Sequence, residues 1–326
     1  MSTLKDVAER AGVTVTTVSR MLNGHDCVSP ATREKISQAM REIGYFPNEM
    51  ARSLSKKQSN FIGLIVPTAR HSFFADLIHY TEAAAQEQGC KLLLCVSNQD
   101  LKKEREYYQM LLSNKVMGII MVSFNRSLSV RSKGAAPFVV FEKPAVPGIP
   151  YAVTDDELGG KLAGEHMIAR GAKKLLYLSG SAGLNDISRL RYNGLVSACR
   201  NADLEDPVLM ETSWEEFIQM NYDETIERIF QEHPETDGIF ASNDLIAASV
   251  LHYCRKNHIH VPKKLKIVGY DDTSFASLSP VKLTTIHQPI EEISRYAVNC
   301  LVRRSKGETI PVNTLFPVRL VARETT

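Results

Sequence analysis

Across residues 4–22 apolar side chains recur at three- and four-residue spacing, stop, and then recur again. Val7, Ala8 and Ala11 share one face of a first short helix, and Val18 and Leu22 share one face of a second. Thr3 is placed to cap the first helix, with Asp6 three positions on to reciprocate. Ala11-Gly12-Val13 forms the break, where a residue without Cβ lets the chain reverse and the helices cross closely. Thr14 is placed to cap the second helix. Ser29 and Pro30 open a third, Ile36, Ala39, Met40 and Ile43 give its inward stripe, and Gly44 ends it. Three helices around one small centre are therefore expected over 1–46.

The outer face of the second helix is unusual. Val15, Thr16, Ser19, Arg20 and Asn23 form one surface of small, polar and basic groups. Such a face suits a DNA major groove, where an arginine forks onto guanine and valine and threonine methyls meet thymine methyls. The bland alternative is a solvated helical hairpin on a larger fold.

Beyond the third helix comes Tyr45-Phe46-Pro47-Asn48. Asn48 can cap one short helix over about 49–55, too short to persist in water without a surface or partner to hold it. Residues 47–60 are read as a conditional hinge. From Phe61 the pattern changes to strand–helix alternation. Phe61–Val66, Leu92–Val96, Val116–Val122 and Phe138–Phe141 read as buried parallel strands, with helices near 73–88 and 102–114. A chain crossover is expected around Thr154-Asp155-Asp156, before a helix over 157–170. A second series of strands follows at Leu175–Ser179, Val208–Glu211, Gly238–Ala241 and Leu265–Gly269, with helices near 189–201, 221–232 and 243–256. Residues 282–288 look like a second crossing, followed by a helix over 290–304 and a last strand near 312–320. The expected core, 61–326, thus has two doubly wound lobes around a cleft: an N-lobe of about 61–154 and 289–311, and a C-lobe of about 157–281 and 312–326.

Composition narrows the classes. At 326 residues, 44% hydrophobic and 23% charged, the chain can hold two or three domains with substantial cores. Net charge is only +2, but residues 1–60 hold nine Lys/Arg against six Asp/Glu, and the remainder 30 against 31, so the basic bias sits on the N-terminal piece. No apolar run approaches bilayer length and the N-terminus is polar, which predicts no membrane role. Six scattered cysteines, at 27, 90, 95, 199, 254 and 300, without a CxxC pair, predict reduced and mostly buried thiols in the cytoplasm.

In order along the chain stand LKDVAERAGVTVTTVSRMLNG, VSPATREKISQAM, GYFPNEMARSL, IGLIVP, EHMIARG, SRLRYNG, DGIFASND, IVGYDD and LTTIHQPIEEI. On these motifs the chain resembles the LacI/GalR family of bacterial repressors over its whole length. The resemblance implies an all-α helix-turn-helix headpiece, a hinge, and an α/β core of periplasmic-binding-protein-like type that forms a homodimer on a pseudo-palindromic double-stranded DNA operator. The SFF, KER-Y and TDDE-GG patterns look more like members serving sucrose or ribose operons than lactose.

By the same resemblance Val15 and Thr16 are the main base-reading pair and Arg20 a further base contact, while Thr14, Thr17, Ser19 and Asn23 hold the DNA backbone. Thr17 could equally fill space beside Val18. In the hinge Asn48, Ala51 and Leu54 are implied as DNA contacts, with Leu54 a wedge into a minor-groove step rather than a packed core residue. For the effector the resemblance points to Phe73 and Phe74 (one of which is expected in the core), Arg191, Asn243 and Asp271. Asp155, or its neighbour Asp156, belongs with them, although adjacent acids at a helix start also serve as caps. Gln288 is a weaker candidate, and Trp214 could stack on a ring or pack in the core. Arginine, carboxylate, amide and aromatic rings together suit a polyhydroxylated ligand, a sugar or sugar phosphate; the aromatic pair also permits a purine corepressor.

Three other readings compete: switching by a partner protein, a solute receptor sharing the core, and a carbohydrate-processing enzyme. No P-loop, GxSxG, HExxH or dinucleotide fingerprint is present, so no catalytic residue and no cofactor are expected. His252, Cys254, His258 and His260 fit no standard zinc spacing and read as surface residues at a helix end. Without a leucine heptad tail after Val318-Arg319-Leu320, the expected assembly is a dimer rather than a tetramer.

Overall fold

The computed structural model describes residues 2–22, 27–46, 59–123, 136–141, 149–180 and 186–326. The chain divides into two compact units, Met1–Ser59 and Asn60–Thr326. Asn23, Asn48, Ala51 and Leu54, and with them the expected hinge helix, lie outside the described residues.

In the first unit α1 (Leu4–Ala11), α2 (Val15–Leu22) and α3 (Pro30–Glu42) form the expected trio. Thr3 and Asp6 make a reciprocal capping box, and Gly12 ends α1 at φ +65°, a conformation that costs a residue with Cβ. Thr14 Oγ1 accepts from Thr17 N at 3.2 Å at the start of α2. Ser29 caps α3 through Thr32 N. Val7, Ala8, Val18, Ile36 and Ala39 form the buried centre. So small a core leaves little margin, and the Arg10–Glu42 ion pair at 2.6 Å adds a tie between α1 and α3.

The second unit holds two six-stranded sheets. In the first lobe β1 (Phe61–Val66), β2 (Lys91–Val96), β3 (Gly118–Met121), β4 (Phe138–Val140), β5 (Tyr151–Thr154) and β11 (Asn313–Phe316) run in the order β11-β5-β4-β3-β1-β2. All its pairings are parallel. Helices α4 (Ser72–Glu87), α5 (Leu101–Ser113) and α12 (Ile290–Ser305) belong to this lobe's succession. In the second lobe β6 (Leu175–Ser179), β7 (Val208–Glu211), β8 (Gly238–Ala241), β9 (Lys266–Asp271), β10 (Thr284–His287) and β12 (Arg319–Val321) run β12-β10-β9-β8-β6-β7, with β12 antiparallel. Its helices are α6 (Asp156–Ala169), α7 (Asp186–Asn201), α8 (Trp214–Gln219), α9 (Asp223–Glu232), α10 (Asp244–Lys256) and α11 (Ser274–Leu278).

The first crossing lies at Thr154–Asp156 as expected, and Tyr151–Thr154 ahead of it adds a strand to those expected. Two expectations need correction. Residues 282–288 hold a strand of the second sheet, with the crossing at Gln288-Pro289. The single strand expected near 312–320 is two strands in different sheets, so the segment from 312 does not belong wholly to the C-lobe: 313–316 extends the first sheet and 319–321 the second. Pro317 lies between them, and a residue without an N–H donor cannot continue a ladder.

Helices α6 and α7 pack face to face without intervening side chains. A Cβ at Gly160 would collide with the Arg191 carbonyl, and one at Gly194 with the Glu157 carbonyl. That close approach carries Arg191 to the start of α6. Five of the six cysteines are buried and free, whereas Cys27 is exposed. No helix among the described residues is long and apolar enough to cross a membrane.

Candidate functional site

Two surfaces carry chemistry, one in each unit. On the headpiece Thr14, Val15, Thr16 and Arg20 are exposed side by side along α2, while Thr17 and Ser19 are half-buried. Val15 is 43% exposed although Val18, one turn on, is fully buried. An aliphatic side chain left in water on a polar face costs solvation that a partner surface can recover. Thr17 serves the fold as well, its hydroxyl lying 2.9 Å from that of Thr14.

In the core, the strand ends of both lobes and the starts of α4, α6 and α10 enclose a cavity of about 140 Å³. One water needs roughly 10–15 Å³ on this scale, so a single-ring molecule fits. Phe73, Phe74, Leu77, Ile290 and Ile293 line the side contributed by the first lobe. Asp156, Arg191, Asn243, Asp271 and Gln288 bring the polar groups. Both phenylalanines border the cavity, meeting edge to face at 5.2 Å; Phe74 also belongs to the buried first-lobe core, as expected of one of them, and Phe73 packs against it.

The polar wall is one connected network. Arg191 Nε donates to Asp156 Oδ1 at 2.8 Å, its Nη1 donates to the Ser242 carbonyl at 2.7 Å, and its guanidinium lies 3.5 Å over the Tyr270 ring. Tyr270 OH donates to the same Asp156 oxygen at 3.0 Å. Gln288 Nε2 donates to Asp271 Oδ1 at 2.6 Å, and Gln288 Oε1 accepts from Thr154 Oγ1 at 3.0 Å. Thr154 ends a first-lobe strand and Gln288 follows a second-lobe strand, so this chain of bonds spans two of the crossings between lobes. Asp271 and Asp272 both hold left-handed backbone, at φ +103° and +58°, which is costly for residues with Cβ. An ion pair from Asp272 to Arg323 (2.5 Å) and a hydrogen bond between Asp272 and His287 Nδ1 (2.9 Å) sustain that turn beside the cavity.

Asp155 is corrected to a cap. It accepts from Leu158 N at 3.0 Å and does not border the cavity, where its neighbour Asp156 stands instead. Trp214 is also displaced from its expected role: it stacks on Phe217 at 5.0 Å and packs against the first-lobe core, outside the cavity lining. Asn243 caps α10 through Ile246 N at 2.9 Å and also borders the cavity.

His71, Thr154, Phe217 and Ser242 also border the cavity and were not singled out from the sequence. All but Phe217 sit just past strands or at a helix start, and the strand-end rule could have flagged those three. His71 Nε2 donates to the Phe217 carbonyl at 2.9 Å and its ring stacks on Phe217 at 4.0 Å, so a first-lobe loop grips a second-lobe helix at the cavity rim. Burial holds the His71 imidazole below its usual range.

Behind Asn243 lies Asp244, fully buried, accepting from Thr273 N at 2.8 Å and Thr285 Oγ1 at 2.5 Å. Burial pushes its carboxyl up from about 3.8 to about 7. A folded-state value above the unfolded one means this contribution to stability is complete below about 3.8 and is lost as pH rises through about 7. Chemical denaturation between pH 5 and 8 should therefore show declining stability, and Asp244→Asn should flatten that slope. An unchanged slope in the variant would assign the decline to other groups.

Comparison with known proteins places these surfaces in a family. Residues 3–48 match the family model for bacterial regulatory proteins of the lacI family, and 165–326 match that for the periplasmic binding protein-like domain. The chain is 34% identical to the sucrose operon repressor of Streptococcus mutans over 98% of both chains. It is 35% identical to the ribose operon repressor of Bacillus subtilis, covering 100% of this chain and 99% of that one. The solved lac repressor dimer bound to operator and an anti-inducer superposes with a TM-score of 0.85 at 26% identity, over 99% of this chain and 98% of that one. With full-length relatives above 30% identity and both family models in their expected order, the chain belongs to the LacI family of bacterial regulators: it is a DNA-binding transcriptional regulator, not an enzyme.

Proposed function

We propose that this regulator represses a carbohydrate-utilisation operon and is switched by a small sugar or sugar phosphate held between the lobes of its core. The observation that carries the reading is the cavity itself, with phenylalanines on one side and Arg191, Asn243, Asp271 and Gln288 on the other. Aromatic faces cover the apolar face of a sugar ring, while the polar groups bracket its hydroxyls. The names of the sucrose and ribose operon repressors support the carbohydrate class.

In this reading the protein works in the cytoplasm as a homodimer on a pseudo-palindromic operator. Val15, Thr16 and Arg20 read bases; Thr14, Thr17, Ser19 and Asn23 hold phosphates; Asn48, Ala51 and Leu54 of the hinge engage the minor groove. The switch is linkage. Ligand bound to Asp271 and Arg191 biases the bond chain through Gln288 and Thr154, and the His71–Phe217 grip sets how closed the lobes are. An effector that prefers one lobe arrangement changes operator affinity by that preference, and operator changes effector affinity by the same factor.

A thermal-shift screen of the full-length protein against sugars, sugar phosphates and purines is the direct test. A carbohydrate hit should raise the midpoint and alter operator affinity in fluorescence anisotropy at one fixed salt concentration. A purine as the sole hit would replace the carbohydrate reading. A carbohydrate that binds without altering operator affinity would sink the proposed switch.

A further inference from the structure

Resting on that carbohydrate reading, we infer that the cavity takes an uncharged polyhydroxylated ring and discriminates against its phosphorylated counterpart. Among the described residues that border it, the formally charged side chains are Asp156, Arg191 and Asp271. The one cation among them is already charge-paired, although its Nη2 can still donate to a ligand. Its Nε lies 2.8 Å from Asp156 Oδ1, its Nη1 is on the Ser242 carbonyl at 2.7 Å, and Tyr270 covers one guanidinium face at 3.5 Å. Arg191 and Asp156 cancel, and Asp271 leaves the wall at one negative charge. Among the described residues no side-chain cation is left unbalanced to receive a phosphate monoester, which brings roughly −1.5 to −2.

Helix starts oppose this. Those of α4, α6 and α10 all border the cavity; α6 and α10 are capped by Asp155 and Asn243 and open on the acids Asp156 and Asp244, whereas His71 makes no side-chain cap on α4. A helix start is worth roughly half a positive charge, too little to balance a phosphate in a buried site. It does suit an uncharged oxygen acceptor.

The remaining polar groups are matched to hydroxyls. Asp271 uses Oδ1 on Gln288, and its second oxygen takes no hydrogen bond from the described residues, so a ligand hydroxyl can donate there. Asn243 spends its Oδ1 on the cap of α10 and keeps its N–H groups to donate. The apolar side of Phe73, Phe74 and Leu77 covers ring C–H groups without asking for charge.

Calorimetry on the full-length protein with matched pairs tests the inference: ribose and ribose 5-phosphate, fructose and fructose 6-phosphate, inosine and inosine monophosphate, with inorganic phosphate alone and hypoxanthine as further probes. The uncharged member of the binding pair should win by about a hundredfold, as like-charge juxtaposition in a buried site demands. Inorganic phosphate should give no heat. Asp271→Asn, or Asp156→Asn if the first does not fold, should shrink the ratio at least tenfold by removing a negative charge. Tighter binding of a sugar phosphate than of its parent sugar, or heat from inorganic phosphate at this cavity, overturns the charge argument and leaves the carbohydrate reading standing. Binding of hypoxanthine or inosine but of neither sugar overturns the carbohydrate reading, and inosine binding more tightly than inosine monophosphate keeps the charge argument. No binding in any pair overturns both.

Discussion

Arg191→Ala is expected to abolish the effector response and to destabilise the core together. The guanidinium and the Asp156 carboxylate are both buried, 2.8 Å apart, with side-chain exposures of 11% and 5%. Removing one partner strands the other in low dielectric, which costs about 3–5 kcal/mol. For a unit of this size that corresponds to a midpoint roughly 10 °C lower. The Ser242 carbonyl and the Tyr270 ring lose their partner as well. Destabilisation alone would not separate a binding role from a structural one, and a double replacement does. Arg191→Met with Asp156→Leu removes the pair without leaving an unmatched charge, so most of the lost stability should return. Effector binding should not return, because the donors to the ligand are gone. Recovery of effector-dependent operator release in the double variant would show that Arg191 only supports the fold.

On the headpiece, Arg20→Ala should weaken operator binding by about 1–3 kcal/mol per half-site, the usual worth of one arginine on a base edge. In a dimer both half-sites lose it, so the combined loss is on the order of a hundredfold or more. Arg20 is exposed, so the thermal midpoint should hold. Discrimination at one base position in each half-site should relax. Ser19→Ala is the contrast: with the proposed hydroxyl–phosphate hydrogen bond removed, binding to every sequence should weaken equally. Leu54→Ala should reduce DNA bending more than half-site discrimination, since a wedge acts on the base step it opens. These comparisons require one salt concentration throughout, because the phosphate contribution falls steeply with salt. Undiminished binding by Arg20→Ala would remove that residue from base reading.

Legibility along the chain followed how local each determinant is. The capping box of Thr3 and Asp6, the left-handed Gly12 and the Ser29-Pro30 start are interactions within a few residues, and all three helices stood where they were expected. Long apolar runs such as Phe61–Val66 announced buried strands just as directly. Short elements did not announce themselves. The six-residue α8 exists because a capping box between Ser213 and Glu216 starts it and Phe217 buries into the facing lobe. The four-residue strand Tyr151–Thr154 is too short to stand out beside the crossing that follows it, and its pairing with 313–316 joins residues far apart in sequence.

The cavity divided along the same line. Residue type and resemblance pointed to Phe73, Phe74, Arg191, Asn243, Asp271 and Gln288, and all six border it. Between Asp155 and Asp156 the sequence offered two adjacent acids. Helix geometry decided that the first turns back to cap α6, while the second faces Arg191 on the helix that Gly160 lets come close.

By itself, then, the sequence determined the three-helix headpiece, the alternation of strands and helices in the core, and the chemical types around the cleft. Each of these depends on periodicity, capping or residue identity over short spans. The tertiary structure alone decided which lobe receives Asn313–Phe316, which acid pairs with Arg191, and that Trp214 packs between lobes instead of lining the cavity. Those outcomes depend on which distant surfaces are pressed together. It also decided that Arg191 arrives at the cavity already paired with Asp156, a matter of distance between two buried side chains that no spacing along the chain expresses.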